Sequence, residues 1–342
     1  MKIALVGIGY WGSKLLRNLV ALVGVENVVA VDPHVDRLSQ ALAEYPGING
    51  EFEVTAALAD PDVSGVVIAT PPATHAALAE QALRAGKHVF VEKPMTTSVA
   101  DSTRLVDLAA NCGLTLMVGH TFLFSPRVQW MRDHIRRGEA GAIHYVTSSR
   151  LNLGIHQSDA NVVWDLGPHD ISIIQYLLDE VPSEVRCSAR GLAVPEVPDV
   201  AFIDLAFPSG VIASIQVSWM APKKVRNLTL VGDRDMLVYD DTDGEEPVKV
   251  YNRGVDRADS SDFGENQLTY RFGDTIVPHI DAAEPLRREL QEFLGAVEYG
   301  TTPLSDGTFG LGVVATLEAA DRSLRARGEL VEVGMPKLVD LS

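Results

Sequence analysis

Lys2-Ile3-Ala4-Leu5-Val6-Gly7-Ile8-Gly9-Tyr10-Trp11-Gly12, with Asp32 twenty residues further on, decides the reading of this chain. An apolar run of strand length enters a glycine-rich turn, and a second apolar run, Val28-Val29-Ala30-Val31, ends at the acid. That order is the one a βαβ dinucleotide site requires. Gly7 permits the tight turn, Gly9 lets the backbone approach a pyrophosphate, and Gly12 lets the helix pack closely on the strand. The helix that begins near Tyr10, with Trp11 beside it, turns its free N–H groups and the positive end of its dipole toward the phosphates. Asp32 is placed to accept hydrogen bonds from the adenosine ribose hydroxyls. The same residues without a ligand would be a plain strand, turn and helix.

The whole chain bounds the remaining possibilities. Its 342 residues suffice for two domains, and an apolar fraction of 46% is ordinary for a globular protein. A net charge of -17, with no basic run to offset it, speaks against nucleic acid as a partner. Cys112 and Cys187 have neither metal-ligand spacing nor the density of a disulfide framework, so we expect no metal and two buried thiols in a reducing cytoplasm. Met1-Lys2 runs straight into a strand, leaving no room for a secretory signal. No apolar run approaches the roughly 20 residues needed to span a bilayer, so no membrane association is expected.

Strand and helix signals alternate through the first 120 residues. Apolar runs at 64–69, 88–91 and 114–118 are separated by helical spacing at 35–44, 73–84 and 98–110. This predicts a doubly wound parallel sheet covered on both faces. After His120 the pattern changes. Helices are expected over 126–137 and 164–178, and strands over 141–153, 184–193, 200–207, 211–218, 225–231 and 236–239. Val211, Ala213, Ile215 and Val217 alternate with Ile212, Ser214, Gln216 and Ser218, which suits an antiparallel sheet with one covered face. Residues 240–281 read as an irregular excursion, and helices over 285–299 and 307–327 close the chain. We therefore expect an α/β protein with a dinucleotide-binding domain over 1–122 and a substrate-binding and oligomerisation domain over 123–342.

In open parallel sheets ligands bind beyond the carboxyl ends of the strands. Thr70-Pro71-Pro72-Ala73-Thr74-His75 and Glu92-Lys93-Pro94 both follow strands in this way. Thr70, Pro71, Pro72, His75 and Glu92 are accordingly candidates for the cofactor, although the packed helical histidine is the simpler account of His75. Lys93 would stand near a nicotinamide or its substrate, where its ammonium can hold a substrate oxygen and stabilise charge during hydride transfer. Otherwise it is an exposed turn lysine. Asp165 and His169, four apart in Trp164-Asp165-Leu166-Gly167-Pro168-His169-Asp170, share one helical face. Pro168 belongs in a first turn, so the helix is expected to start near Asp165 or Leu166, with Asp165 itself a possible N-cap. A helix dipole acting on His169 would favour the neutral ring, allowing it to take a hydroxyl proton while Asp165 orients it. A hydrogen-bonded core histidine is the competing reading. Asp170 is left as a capping or structural residue.

With these four motifs in this order, the chain resembles the Gfo/Idh/MocA oxidoreductases over nearly its whole length. The resemblance implies an amino-terminal Rossmann domain and a carboxyl-terminal α/β domain built on a large, mostly antiparallel sheet. It also implies nicotinamide-dependent redox chemistry on sugars, cyclitols and related molecules, and assembly into homodimers or homotetramers. By that resemblance Lys93 takes the active-site lysine position, His169 the acid/base position, and Asp165 the carboxylate before it. Arg150-Leu151-Asn152-Leu153-Gly154 and Asn161-Val162-Val163-Trp164-Asp165 are similar to sugar-nucleotide branches of surface-polysaccharide pathways. That makes Arg150 and Asn152 substrate candidates, with a strand-end arginine and a turn asparagine as the alternatives. Lys223, Lys224 and Arg226 offer local positive charge, although a solvated basic turn explains at least two of them.

Asp32 favours NAD, because a 2′-phosphate would meet its charge; Arg37, one helical turn on, leaves NADP open. The expected activity is an NAD-dependent sugar or sugar-nucleotide dehydrogenase. A cyclitol or free-sugar dehydrogenase is the second reading, and a non-catalytic cofactor-binding sensor the third. Retention of both Lys93 and His169 weighs against the sensor.

Overall fold

The apolar runs of the first 120 residues form strands of one parallel sheet in the computed structural model, which describes residues 1–154, 160–257 and 268–338. In chain order the elements are β1 (Lys2–Val6), α1 (Tyr10–Val23), β2 (Val28–Val31), α2 (Val35–Glu44), β3 (Asn49–Glu51), α3 (Val54–Ala59), β4 (Val63–Ile68), α4 (Pro72–Arg84), β5 (His88–Glu92), α5 (Val99–Cys112) and β6 (Leu116–Gly119). The strand order is β3-β2-β1-β4-β5-β6, so the direction of winding reverses between β1 and β4. All of these strands but the edge strand β3 are buried on both faces, which is why they read as continuous rather than alternating apolar runs. The short β3, Asn49-Gly50-Glu51, carries no apolar side chain, and the six residues of α3 are too few to show a helical period.

Two compact units partition the chain. The first comprises Met1–Phe124 and Ala283–Glu318, with the described part of the segment from Met335; the second comprises Ser125–Ala282 and Ala319–Gly334. The expectation of one carboxyl-terminal domain from residue 123 onward did not anticipate the return of 283–318 to the first unit. Its physical basis is the apolar face of the helix over Pro285–Tyr299, on which Phe293 is fully buried and meets Phe90 edge-on at 5.8 Å.

The second unit continues with α6 (Pro126–Arg136), β7 (Ile143–Leu153), α7 (Val162–Leu178), β8 (Glu184–Arg190), β9 (Val200–Ala206), β10 (Ile212–Ser218), β11 (Met220–Gly232), β12 (Met236–Asp240), β13 (Val248–Arg257) and β14 (Leu268–Ile276). Then come α8 (Pro285–Tyr299), α9 (Gly307–Arg325) and β15 (Val331–Glu332). A nine-stranded sheet runs β14-β13-β12-β11-β7-β10-β9-β8-β15; among the described residues only β7 and β10 pair in parallel within it. Along β10, Ala213, Ile215 and Val217 are buried and Ile212 and Ser214 are exposed, as the alternation predicts. The excursion expected over 240–281 is corrected: β13 and β14 pair there antiparallel, with 258–267 outside the described residues. Its charges had masked the strand pattern.

Cys187 is buried, and burial pushes its thiol up to about 12; Cys112, at the exposed end of α5, is not buried as expected. Among the described residues no helix is long and apolar enough to cross a membrane, and no three His, Cys, Asp or Glu side chains are placed to hold a metal.

Candidate active site

In the first unit the predicted residues converge on the carboxyl edge of the parallel sheet. Gly7 has a φ of +92°, and its N–H bonds Val31 O at 2.8 Å, which bends the chain out of β1. A Cβ on Gly12 would stand 2.0 Å from Gly7 O, so only glycine lets α1 pack this close. A Cβ on Gly9 would meet no protein atom, and on that side a pyrophosphate can come up to the backbone. Tyr10 is exposed on the first turn of α1, with the Lys14 ammonium 4.2 Å from its ring centroid.

Asp32 is 1% exposed and already serves the turn. It accepts from the Ile8 N–H at 2.8 Å and the His34 N–H at 2.9 Å, and its Oδ1 lies 3.0 Å from His34 Nδ1. Burial acts to raise its pKa, but these hydrogen bonds and Arg37 outweigh it and hold the carboxyl below its usual range. A carboxylate has about four acceptor positions, so a ribose hydroxyl fits beside these donors, or the exposed His34 ring yields its place. Arg37 Nη1 is 3.7 Å from Asp32 Oδ2.

The turn after β4 and the turn after β5 are braced together. Pro71 and Pro72 open α4, and the Thr70 and Thr74 hydroxyls are 2.6 Å apart. His75 is buried, with Nε2 2.8 Å from Thr70 O and Nδ1 2.9 Å from Pro94 O. Burial lowers its pKa, so the ring is neutral and one of these two contacts carries its single N–H. Its bearing on a cofactor is thus through its burial between the two turns, one of which its N–H bonds. Lys93 is half-buried between Glu92 and Pro94, and the Trp11 indole N–H donates to Glu92 at 2.5 Å, tying the glycine turn to the end of β5. These residues fit the phosphate, ribose and ring of a dinucleotide.

In the second unit α7 begins earlier than expected. Asn161 is its N-cap, accepting from the Val163 and Trp164 N–H groups, and Asp165 lies in the first turn rather than capping it. Pro168 is inside the helix. His169, seven residues past Val162, is therefore beyond the reach of the dipole, which acts within the first turn, where Asp165 lies. Asp165 and His169 are both half-buried, and the buried Trp219 indole N–H donates to Asp165 Oδ2 at 3.0 Å. Nothing in the sequence pointed to Trp219.

The structure corrects the reading of Arg150 as a substrate ligand. Its guanidinium is 6% exposed and bonds Asp170 through Nε at 2.6 Å, while the Ser148 hydroxyl donates to the same carboxylate at 2.6 Å. This pair fastens β7 to α7. Arg150→Met is expected to leave Asp170 as a lone buried charge and to lower stability by about 3–5 kcal/mol, read from the urea midpoint. Arg150→Met with Asp170→Leu should recover most of that loss. Asn152 is half-buried, and its Oδ1 has no hydrogen-bond partner among the described residues. Arg226 bonds Asp241 at 3.2 Å, whereas Lys223 and Lys224 are exposed.

Comparison with known proteins fits this arrangement. Residues 1–120 match an oxidoreductase family with an NAD-binding Rossmann fold, and residues 128–238 match the GFO/IDH/MocA C-terminal domain. The chain is 27% identical over 333 residues to a UDP-N-acetylglucosamine 3-dehydrogenase of Acidithiobacillus ferrooxidans, covering 92% of this chain and 94% of that protein. It is 30% identical over 224 residues to inositol 2-dehydrogenase 2 of Saccharopolyspora erythraea, covering 64% and 66%. Against several other curated relatives it spans about half of their length. The solved structure of GenD2 from gentamicin A biosynthesis in complex with NAD superposes with a TM-score of 0.81 at 25% identity, covering 98% of this chain and 97% of that one.

Proposed function

Since this chain belongs to the Gfo/Idh/MocA oxidoreductase family, whose amino-terminal domain binds NAD, we propose that it interconverts a hydroxyl and a keto carbon of a sugar nucleotide. The observation that carries this reading is the end-to-end likeness to a UDP-N-acetylglucosamine 3-dehydrogenase, over 92% of one chain and 94% of the other. When bound, the nicotinamide supplies the hydride acceptor or donor. Gly7, Gly9 and Gly12 receive the pyrophosphate, Asp32 the ribose, and the turns of Thr70–His75 and Glu92–Pro94 the nicotinamide end. The Lys93 ammonium holds the reacting oxygen and stabilises its developing charge. His169 takes the hydroxyl proton in oxidation and returns one in reduction, with Asp165 orienting its ring.

A cyclitol or free-sugar substrate is the second reading, favoured by the likeness to an inositol dehydrogenase. The same fold without chemistry, a cofactor-binding sensor, would have had no use for Lys93 and His169 together. NAD is preferred over NADP because the Asp32 carboxylate repels a 2′-phosphate, despite Arg37 nearby. We assign the protein to the cytoplasm as a homodimer or homotetramer. The test is a panel of nucleotide sugars and cyclitols incubated with NAD or NADP and followed at the nicotinamide absorbance. Turnover of a nucleotide sugar with NAD is expected, at two or four times the protomer mass by light scattering. Turnover of cyclitols alone reverses the order of the two readings, and tighter binding of NADP overturns the cofactor preference.

A further inference from the structure

Two carboxyl groups to which the hydride chemistry above gives no proton to carry sit at the same edge of the first unit, one of them on the cofactor turn itself. Glu92 ends β5 and Glu289 projects from α8; they are 7% and 0% exposed. Glu289 stands on the otherwise apolar stripe of Leu286, Leu290 and Phe293. Few donors serve the two. Glu92 receives the Trp11 indole and the Lys93 backbone N–H, and it lies against Gly119. Thr121 donates to Glu289 Oε2 at 2.8 Å, and Glu289 Oε1 has no hydrogen-bond partner among the described residues.

The charged and titratable groups facing the pair are few as well. The Lys93 ammonium favours ionisation of Glu92. His120, at the carboxyl end of β6, is fully buried with both ring nitrogens unpartnered among the described residues; burial and then Lys93 lower its pKa to about 3, so it is neutral. Lys14 lies over the Tyr10 and Trp11 rings, Arg288 donates to Phe124 O, and Glu292 accepts from the Leu304 N–H. One ammonium cannot sustain two buried carboxylates, because burial disfavours each charge and each charge disfavours the other. Burial raises Glu92 to about 7 against the pull of Trp11 and Lys93, and burial and the Glu92 charge raise Glu289 well above the usual carboxylate range. The two titrate as a unit and keep at least one proton at neutral pH.

We propose that Glu92 and Glu289 form a carboxyl pair that trades a proton against the charge of the nicotinamide ring, releasing it to solvent when the cationic oxidised cofactor binds and keeping it when the neutral reduced cofactor binds. This rests on the NAD reading above. Its spatial basis is the position of Glu92, joined through Trp11 to the glycine turn and adjacent to Lys93, at a sheet edge where parallel folds take ligands. A unit charge about 8 Å away at an effective dielectric of about 20 changes proton affinity on the order of tenfold or more. The sign follows: a cation favours the ionised pair, so affinity for the oxidised cofactor rises with pH while that for the reduced form stays flat.

Calorimetric titration of NAD+ and of NADH into the full chain at pH 7, in phosphate and in Tris, counts the protons released. Release on NAD+ binding alone is expected, with affinity on the order of tenfold tighter at pH 8 than at pH 6. Glu92→Gln, alone and with Glu289→Gln, keeps the shape of the protonated acid and should abolish that difference. Equal release for both cofactors overturns the proposal without any variant, as does release that persists in the double variant. Binding of neither cofactor removes the NAD reading, and this proposal with it.

Discussion

Lys93→Ala is expected to lower kcat by about 10²–10³ while leaving NAD affinity within about threefold, the pattern of a lost charge stabiliser. The lysine is half-buried at the end of β5, beside Glu92 and Pro94, on a turn braced by His75 and by Trp11. Its position is therefore set by the backbone and not by the ammonium, and removing the side chain should leave the cofactor turn in place. Lys93→Arg keeps the charge but replaces a compact ammonium with a wide planar fork, so only a small part of the rate should return. Because the ammonium also favours ionisation of Glu92, the alanine variant should shift the titration of that carboxyl upward. Steady-state kinetics with fluorescence titration of the cofactor reads both effects. Turnover within threefold of the wild type would remove Lys93 from the chemistry.

His169→Ala should lower kcat by about 10²–10⁴, the usual worth of a positioned acid/base. The pH profile is the sharper readout. In the oxidative direction the base must be neutral, so the acid-side fall in rate that marks its protonation should vanish in the variant. Asp165→Asn keeps the shape, and the Trp219 indole still has an oxygen to bond, yet the carboxylate charge that the proposed function sets to orient the imidazole is gone. A smaller loss and a displaced acid limb are expected. If His169→Ala retains more than a tenth of the wild-type rate with an unchanged pH profile, the proton passes through another group.

The parts of the site legible in the sequence are those where backbone chemistry is local. Gly7 and Gly12 announce a turn that no other residue could make, and the acid at the end of β2 stands at a fixed distance along the chain. Pro71 and Pro72 likewise mark the end of one strand and the start of one helix. Glu289 had left a trace, a carboxylate on an apolar helical stripe, and His120 another, a polar residue closing an apolar strand. Arg150 misled because an arginine at the end of an exposed-looking strand gives no hint of Asp170, twenty residues on, which turns it inward. The competing role of Asp165 as a cap fell away because the true cap, Asn161, precedes two valines that carry no helix signal of their own.

Sequence alone determined the α/β class, the dinucleotide turn, the order of the motifs and the identity of Lys93, Asp165 and His169 as candidates. Each of these depends on spacing along a short stretch of chain, where strand and helix periods fix what faces what. Only the tertiary structure decided that 283–318 rejoins the first unit, that Trp219 holds Asp165, that Arg150 pairs with Asp170, and that two buried glutamates, one bonded by Trp11 and one by Thr121, feel each other's charge. These contacts join residues tens to hundreds of positions apart, and burial, which sets their charge states, exists only once the chain has closed around them.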